Sequence, residues 1–271
     1  MKKIVLAVVA ILLVMTGRTQ SFEGSIRWTM KMDITDPKAK AQMEEAKKKA
    51  ADPANQAKMK EMTDKMNDPQ FKAMLDANPQ MKAQMEAMMK MMAGGDLSGM
   101  LPSAIIMKLK GQNSLVSIQG GIMDKTDMLH LADKDETFTI NHNAKTFTLM
   151  PKNDGEKRPK PKVTKTSETA KILNYNCTKY IIEITIPEGK TMTSNYWATN
   201  EIKDIDLKAI AKQQMAKDQS FVFPEIDGFP LRIESQIPQT GTITIETAEI
   251  KRGGVANSDL QLPSGYTEAK L

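Results

Sequence analysis

From Pro102 onward the chain runs largely in period two, and that rhythm limits its fold more than any other feature. Short runs rich in Val, Ile, Thr and aromatic residues are separated by Gly or polar turns every 8–12 residues or so, the pattern of a meandering antiparallel β protein. The runs are Ala104–Lys110, Ser114–Ile118, Met123–Leu131, Glu136–His142, Lys145–Met150, Thr169–Asn174, Thr178–Ile186, Thr191–Ala198, Phe229–Ile237 and Gly241–Lys251. Phe22–Asp33 alternates more weakly and reads as an opening strand, and Leu260–Leu262 is expected to close the sheet. On either side of Asn143 and Ala144, Thr137–Phe138–Thr139 and Thr146–Phe147–Thr148 predict the two arms of a hairpin, with Phe inward and Thr outward. Asp204–Asp218 is the one clear helix in this part, with Ile205, Leu207, Ile210, Ala211 and Met215 on its apolar face. The expected class is mainly β (α+β): a curved antiparallel sheet or half-barrel of about ten strands with one late helix. A sheet of that size must curl or close, and its concave face must be filled by side chains, a helix or a ligand.

Residues 36–101 break this rhythm. Twelve of the 22 methionines fall between Asp36 and Met100. Asp-Pro recurs at Asp36-Pro37, Asp52-Pro53 and Asp68-Pro69, 16 residues apart, and Asn78-Pro79 follows. An Asp or Asn N-cap before Pro at the first helical position starts a helix, so the stretch predicts three or four short helices. The chain thus divides into a signal peptide (1–21), a β domain (22–35 with 102–271) and a Met-rich helical insert (36–101).

The N-terminus has the grammar of export. Lys2 and Lys3 precede an apolar run of 12 residues, Ile4–Met15, too short to span a bilayer comfortably. Thr19 and Ser21 are small residues at −3 and −1, so cleavage is expected between Ser21 and Phe22. No Cys lies there, so a lipid-anchored N-terminus is not expected, and no later run is long enough for a transmembrane helix. The expected destination is the periplasm or the medium. Loss of Lys2, Lys3 and Arg18 lowers the net charge from +5 to +2, which gives no support to nucleic-acid binding. Cys177 is the only cysteine, so neither an internal disulfide nor a thiolate metal cluster can form. No nucleophile elbow, phosphate loop, zinc spacing or dinucleotide fingerprint is present, and neither an enzyme nor a cofactor is expected.

The candidate binding residues are therefore apolar. Met81, Met85, Met88 and Met92 follow one another at spacings of four, three and four, one helical stripe that Met89 widens. Phe71, Met74 and Leu75 form a second stripe, and Met59, Met62 and Met66 a third. Such stripes can pack on each other or on the sheet. They can also form a lid or groove for a lipid, an acyl chain or an apolar peptide client, because Met is flexible and polarizable. Thioethers select soft copper, so a Cu(I) site at Met81, Met85, Met88 and Met92 is a further alternative, although the interleaved Lys residues oppose it. A last alternative is that the insert joins copies of the chain into a homo-oligomer. Tyr196 and Trp197 must face opposite sides of their strand, so one belongs to the core and the other is a candidate pocket residue; Trp197 is retained as such. Cys177 is expected to be a buried, inert thiol. Lys152–Lys165 reads as a solvated basic loop.

A set of phrases appears in order: Phe22–Ile26, Asn174–Tyr180, Asn195–Thr199, Gly228–Leu231, Ile243–Ile250 and Leu262–Tyr266. Together they resemble the secreted bacterial family named domain of unknown function 4412, over Phe22–Thr35 and from Pro102 to the end. The chain departs from that family's Gly-Tyr-x-Cys phrase by carrying Asn174 before Tyr175. The resemblance implies a fold similar to the half-barrel of lipoprotein carriers of the LolA/LolB type, with a curved sheet over an apolar cavity. It implies no catalytic residues. Asn67–Met85 separately resembles the Asp-Pro helical repeats of heat-shock-organising co-chaperones and ubiquilins, whose short helices take apolar client segments.

Overall fold

The computed structural model describes residues 22–77, 85, 89, 101–151, 161–185, 191–207, 223 and 225–269. The strands are β1 (Gly24–Ile34), β2 (Ala104–Lys110), β3 (Asn113–Gln119), β4 (Thr126–Leu131), β5 (Glu136–Asn141), β6 (Thr146–Leu149), β7 (Lys162–Ile172), β8 (Tyr175–Thr185), β9 (Thr191–Thr199), β10 (Phe229–Ile237), β11 (Gly241–Arg252) and β12 (Thr267–Glu268). They form one open sheet in the order β12-β6-β5-β4-β3-β2-β1-β11-β10-β9-β8-β7. The expected ten or so strands are thus twelve, and one pairing, β12 with β6, is parallel.

The order shows how the sheet is assembled. From β1 the chain builds outward through the hairpins β2 to β6. It then crosses to the opposite edge and builds inward from β7 to β11, which returns to β1. β1 is therefore the seam between two meanders. It pairs with β11 over all eleven of its residues but with β2 only from Gly24 to Thr29. At the far end of the seam, a Cβ on Gly241 would sit 1.9 Å from the Asp33 carbonyl, so only Gly lets β11 start this close to β1.

The insert leaves after Ile34. Its helices among the described residues include α1 (Pro37–Ala51), α2 (Pro53–Met66) and α3 (Pro69–Ala77). Each is started by the Asp-Pro device. Asp36 accepts from the Ala39 N–H at 2.8 Å, Asp52 from Ala54 at 2.8 Å, and Asp68 from Gln70 at 3.0 Å. Asp52 also ends α1, its own N–H donating to the Lys49 carbonyl. One residue thus closes one helix and opens the next.

Several boundaries differ from the sequence reading. β7 begins at Lys162, inside the stretch read as a loop, because Val163 and Thr164 pair with Ile182 and Ile181. The Phe138/Phe147 hairpin forms with its aromatics on one face, but its loop spans four residues, 142–145, with Lys145 at φ 51°. Leu260–Leu262 is not a strand: Asn257–Leu260 is a 3-10 turn, and the edge is capped instead by β12. Of the helix expected over Asp204–Asp218, residues 208–218 lie outside the described residues, and Leu207 is helical.

Three apolar clusters hold the sheet. Leu115, Leu129, Phe138 and Ile140 lie on one face under Val255 and Leu260, with Phe147 and Tyr266 at the margin. Residues 253–269 thus form a strap across that face of β3–β6. Tyr180, Ile182, Tyr196 and Ile233 pack under Phe223 and Ile226. The third cluster, Phe22, Ile26, Leu109, Cys177, Phe229 and Leu231 with Ile202 and Ile205, gathers near two bulges. These shift the register at Arg27/Trp28 and at Pro230/Arg232.

Candidate functional site

The register of β1–β6 puts cross-strand neighbours in rows, and side chains alternate between faces along each strand. The rows Ser25–Lys108–Leu115–Leu129–Phe138–Leu149 and Arg27–Ile106–Ser117–Asp127–Ile140–Phe147 belong to the face under the strap. The opposite face carries Ile26–Met107–Val116–Met128–Thr139–Thr148 and Trp28–Ile105–Ile118–Thr126–Asn141–Thr146. On β1 and β11 this face continues through Met30 and Met32 beside Ile245 and Ile243.

This opposite face is the candidate site. Its margins are closed by the fold. Ile26 is fully buried in the cluster that contains Phe22, Ile202 and Ile205. The Phe22 N–H donates to the Asp204 carbonyl at 2.8 Å, and Asp204 pairs with Arg252, which fixes that covering segment. Further along the sheet, Phe223 and Ile226 cover the cluster of Tyr196 and Ile233. Between these covers the face is apolar and only half-buried at Met30, Met32, Ile105, Met107, Val116, Met128, Ile243 and Ile245. Towards β5 and β6 it changes character to Thr137, Thr139, Asn141, Thr146 and Thr148. Neither long row contains a charged residue.

His130 stands on this face next to Ser114 and Thr137. Its Nδ1 lies 3.0 Å from the Thr137 hydroxyl. Burial holds its pKa below the ordinary value, against a smaller opposing pull from Asp135, so the ring is neutral at neutral pH. His142 does other work: it bridges Asp127 at 2.8 Å and the Tyr266 hydroxyl at 2.9 Å, tying the strap to β4. Among the described residues no group of three or more His, Cys, Asp or Glu is placed to hold a metal ion, and no helix is long and apolar enough to cross a membrane.

The helical stripes fall as follows. Met59, Met62, Met66 and Phe71 are half-buried, Met74 is 45% exposed, and Leu75 is 2% exposed. α1 and α2 bury no residue fully. Met85 and Met89 are helical and half-buried. Met81, Met88 and Met92 lie outside the described residues, so the stripe that carried the copper alternative has no described geometry. Trp197 packs beside the Cys177 cluster with the Lys179 ammonium 5.7 Å from its ring, while Tyr196 is core. Burial pushes the Cys177 thiol up to about 11, which leaves it protonated and unreactive.

The residues that sequence reasoning passed over are strand residues: Met30, Ile105, Met107, Val116 and Met128. Their signal was present. Ile105, Ile106 and Met107 make both faces of one strand apolar, which a sheet covered on one side alone does not require.

Two solved structures are similar in parts. A structure of PNGF-II in space group C2 aligns with a TM-score of 0.34 and 16% identity, over 62% of this chain and 28% of that one. The chain therefore corresponds to little more than a quarter of that protein. A putative outer membrane lipoprotein-sorting protein domain from Vibrio parahaemolyticus aligns with a TM-score of 0.25 and 10% identity, over 58% of this chain and 82% of that one. No curated protein matches in sequence. The family comparison reaches further: residues 88–266 match "Domain of unknown function (DUF4412)", a span that begins inside the Met-rich stretch and omits β1. With well over half of its length matched, the chain belongs to the DUF4412 family.

Proposed function

We propose that the protein is a non-enzymatic, exported binding protein that shelters apolar material on the half-buried face of β1–β4 and β11. The observation that supports this reading is the pair of uncharged rows through Met107 and Ile105. With Met30, Met32, Ile243 and Ile245 beside Ile105, Met107, Val116 and Met128, eight apolar side chains stand half-exposed between two covered margins. Burying the remainder of each contributes about 1 kcal/mol, on the order of 8 kcal/mol in total before the cost of ordering a ligand. That supports affinity no tighter than the micromolar range. In this reading Met59, Met62, Met66, Phe71 and Met74 of the insert add adaptable apolar surface, as a lid or a client groove. The basic, then apolar, N-terminal segment supports export.

The test uses the delipidated chain from Phe22 onward, titrated with a fluorescent acyl probe. Saturable uptake is expected, weakened at least about tenfold by Val116→Asp or Met128→Asp in variants that still unfold cooperatively. That loss corresponds to about 1.4 kcal/mol. Absence of uptake by the parent chain would refute the reading.

A further inference from the structure

The same face has a direction, and the direction specifies the ligand. We infer that it takes a single-chain lipid with an uncharged, hydroxyl-bearing head group, such as a monoacylglycerol, lying across the strands with its head over β5–β6. This rests on the apolar-binding reading above and narrows it.

Crossing from β2 to β4, the rows present Met107, Val116 and Met128. The next two strands present hydroxyls, Thr139 and Thr148, in the same row. Strands lie about 4.8 Å apart, so the row from β1 to β6 runs roughly 24 Å, with its apolar part first and its hydroxyl part last. An acyl chain can lie along the first part without stranding a polar atom. A head group at the second part meets donors and acceptors rather than hydrocarbon.

Charge decides which head group fits. Neither row holds Lys, Arg, Asp or Glu. Among the described residues the one titratable side chain on this part of the face, His130, is kept neutral by burial beside Thr137. A carboxylate or phosphate brought here would lose water and gain no cation from either row, a cost that an uncharged glycerol does not carry. Hydroxyls, in contrast, exchange water for Thr partners at nearly even cost.

The experiment compares 1-monolauroylglycerol with laurate as competitors of the acyl probe on the chain from Phe22 onward, at about pH 8, where a carboxylate is ionised. Monolauroylglycerol is expected to compete at least about tenfold better. Thr148→Lys, which places a cation at the head end, is expected to reverse the preference in favour of laurate. Equal or stronger competition by laurate on the parent chain would overturn this inference and leave the binding reading intact. An unchanged preference in Thr148→Lys would overturn the assigned direction. Failure of every probe to bind the parent chain would bring down both readings, and a Met107→Cys thiol unreactive to a maleimide in the folded chain would show that the protein covers this face itself.

Discussion

Single side chains fix what the sheet alone leaves loose. The strap over β3–β6 is held by the burial of Val255 and Leu260 and by His142, which joins Asp127 to Tyr266. Tyr266→Phe should cost about 1 kcal/mol, the net value of one hydrogen bond, and His142→Ala, which also gives up the bond to Asp127, more than that. Their double mutant should lose less than the sum, because both remove the same link. Denaturant midpoints give the energies, and amide exchange in residues 253–269 should rise in each variant. Additive losses would mean that the two side chains act separately. His130 adds a pH dependence whose sign is set by its depressed pKa. Above its ordinary 6.5 both folded and unfolded chains hold it neutral. Below that value the unfolded chain takes up a proton that the folded chain resists, so stability is present above 6.5 and falls as pH drops towards the folded pKa. In His130→Gln the fall in denaturant midpoint on acidification from about pH 7 to about pH 5 should be smaller than in the parent.

At the scale of elements, the parts legible in the sequence are those set by local chemistry. The Asp-Pro signals mark the starts of α1, α2 and α3 because the cap and the Pro act within three residues of each other. Phe138 and Phe147 share a face, in edge-to-face contact at 6.0 Å, because alternation within a hairpin leaves no other arrangement. The partners of β1, the crossing from β6 to β7 and the two-residue strand β12 were not legible. All three depend on pairings between residues far apart in the chain, which no window of sequence encodes. The candidate face was illegible for the same reason: Met107, Val116 and Met128 become one row only when β2, β3 and β4 are in register. Pairing also bears on the insert, since β1 and β2 are neighbours. The chain leaves at Ile34 and returns opposite Thr29, five residues or roughly 17 Å back along β1. A Gly/Ser linker of about ten residues joining Thr35 to Leu101 spans that gap, and closure entropy favours the shorter connection slightly. The deleted protein should be soluble, unfold cooperatively and lose most of its helical circular dichroism. A molten or insoluble product would mean that the Met stripes are core.

At the scale of the whole molecule, an open sheet of twelve strands has two edges, and each edge invites pairing with another chain. The two are protected differently. At one end β12 covers β6 with only two residues, Thr267 and Glu268, too short to template another strand. At the other end β7 is eleven residues long and, among the described strands, pairs with β8 alone. Its protection lies in its side chains and its irregularity. Lys162, Lys165 and Lys171 are spaced along it, and a register shift between Lys165 and Thr169 breaks its line. Lys162 is drawn to Glu183 at 2.6 Å, and Lys165 lies over the Tyr180 ring at 5.7 Å, so both ammoniums are held at the edge. A strand docking alongside would have to bring its own backbone against three cations and a bulge. Thr at these positions keeps the β propensity and removes the charge, so Lys162→Thr, Lys165→Thr and Lys171→Thr together should leave the fold intact while exposing a usable edge. Sedimentation at increasing concentration should then show a larger species that is absent or much weaker in the parent chain. Adding a single Pro to the triple variant, at a β7 residue whose N–H faces away from β8, should suppress it, because Pro withholds the N–H that a partner strand needs. Equal association of parent and triple variant would show that the lysines do not guard this edge.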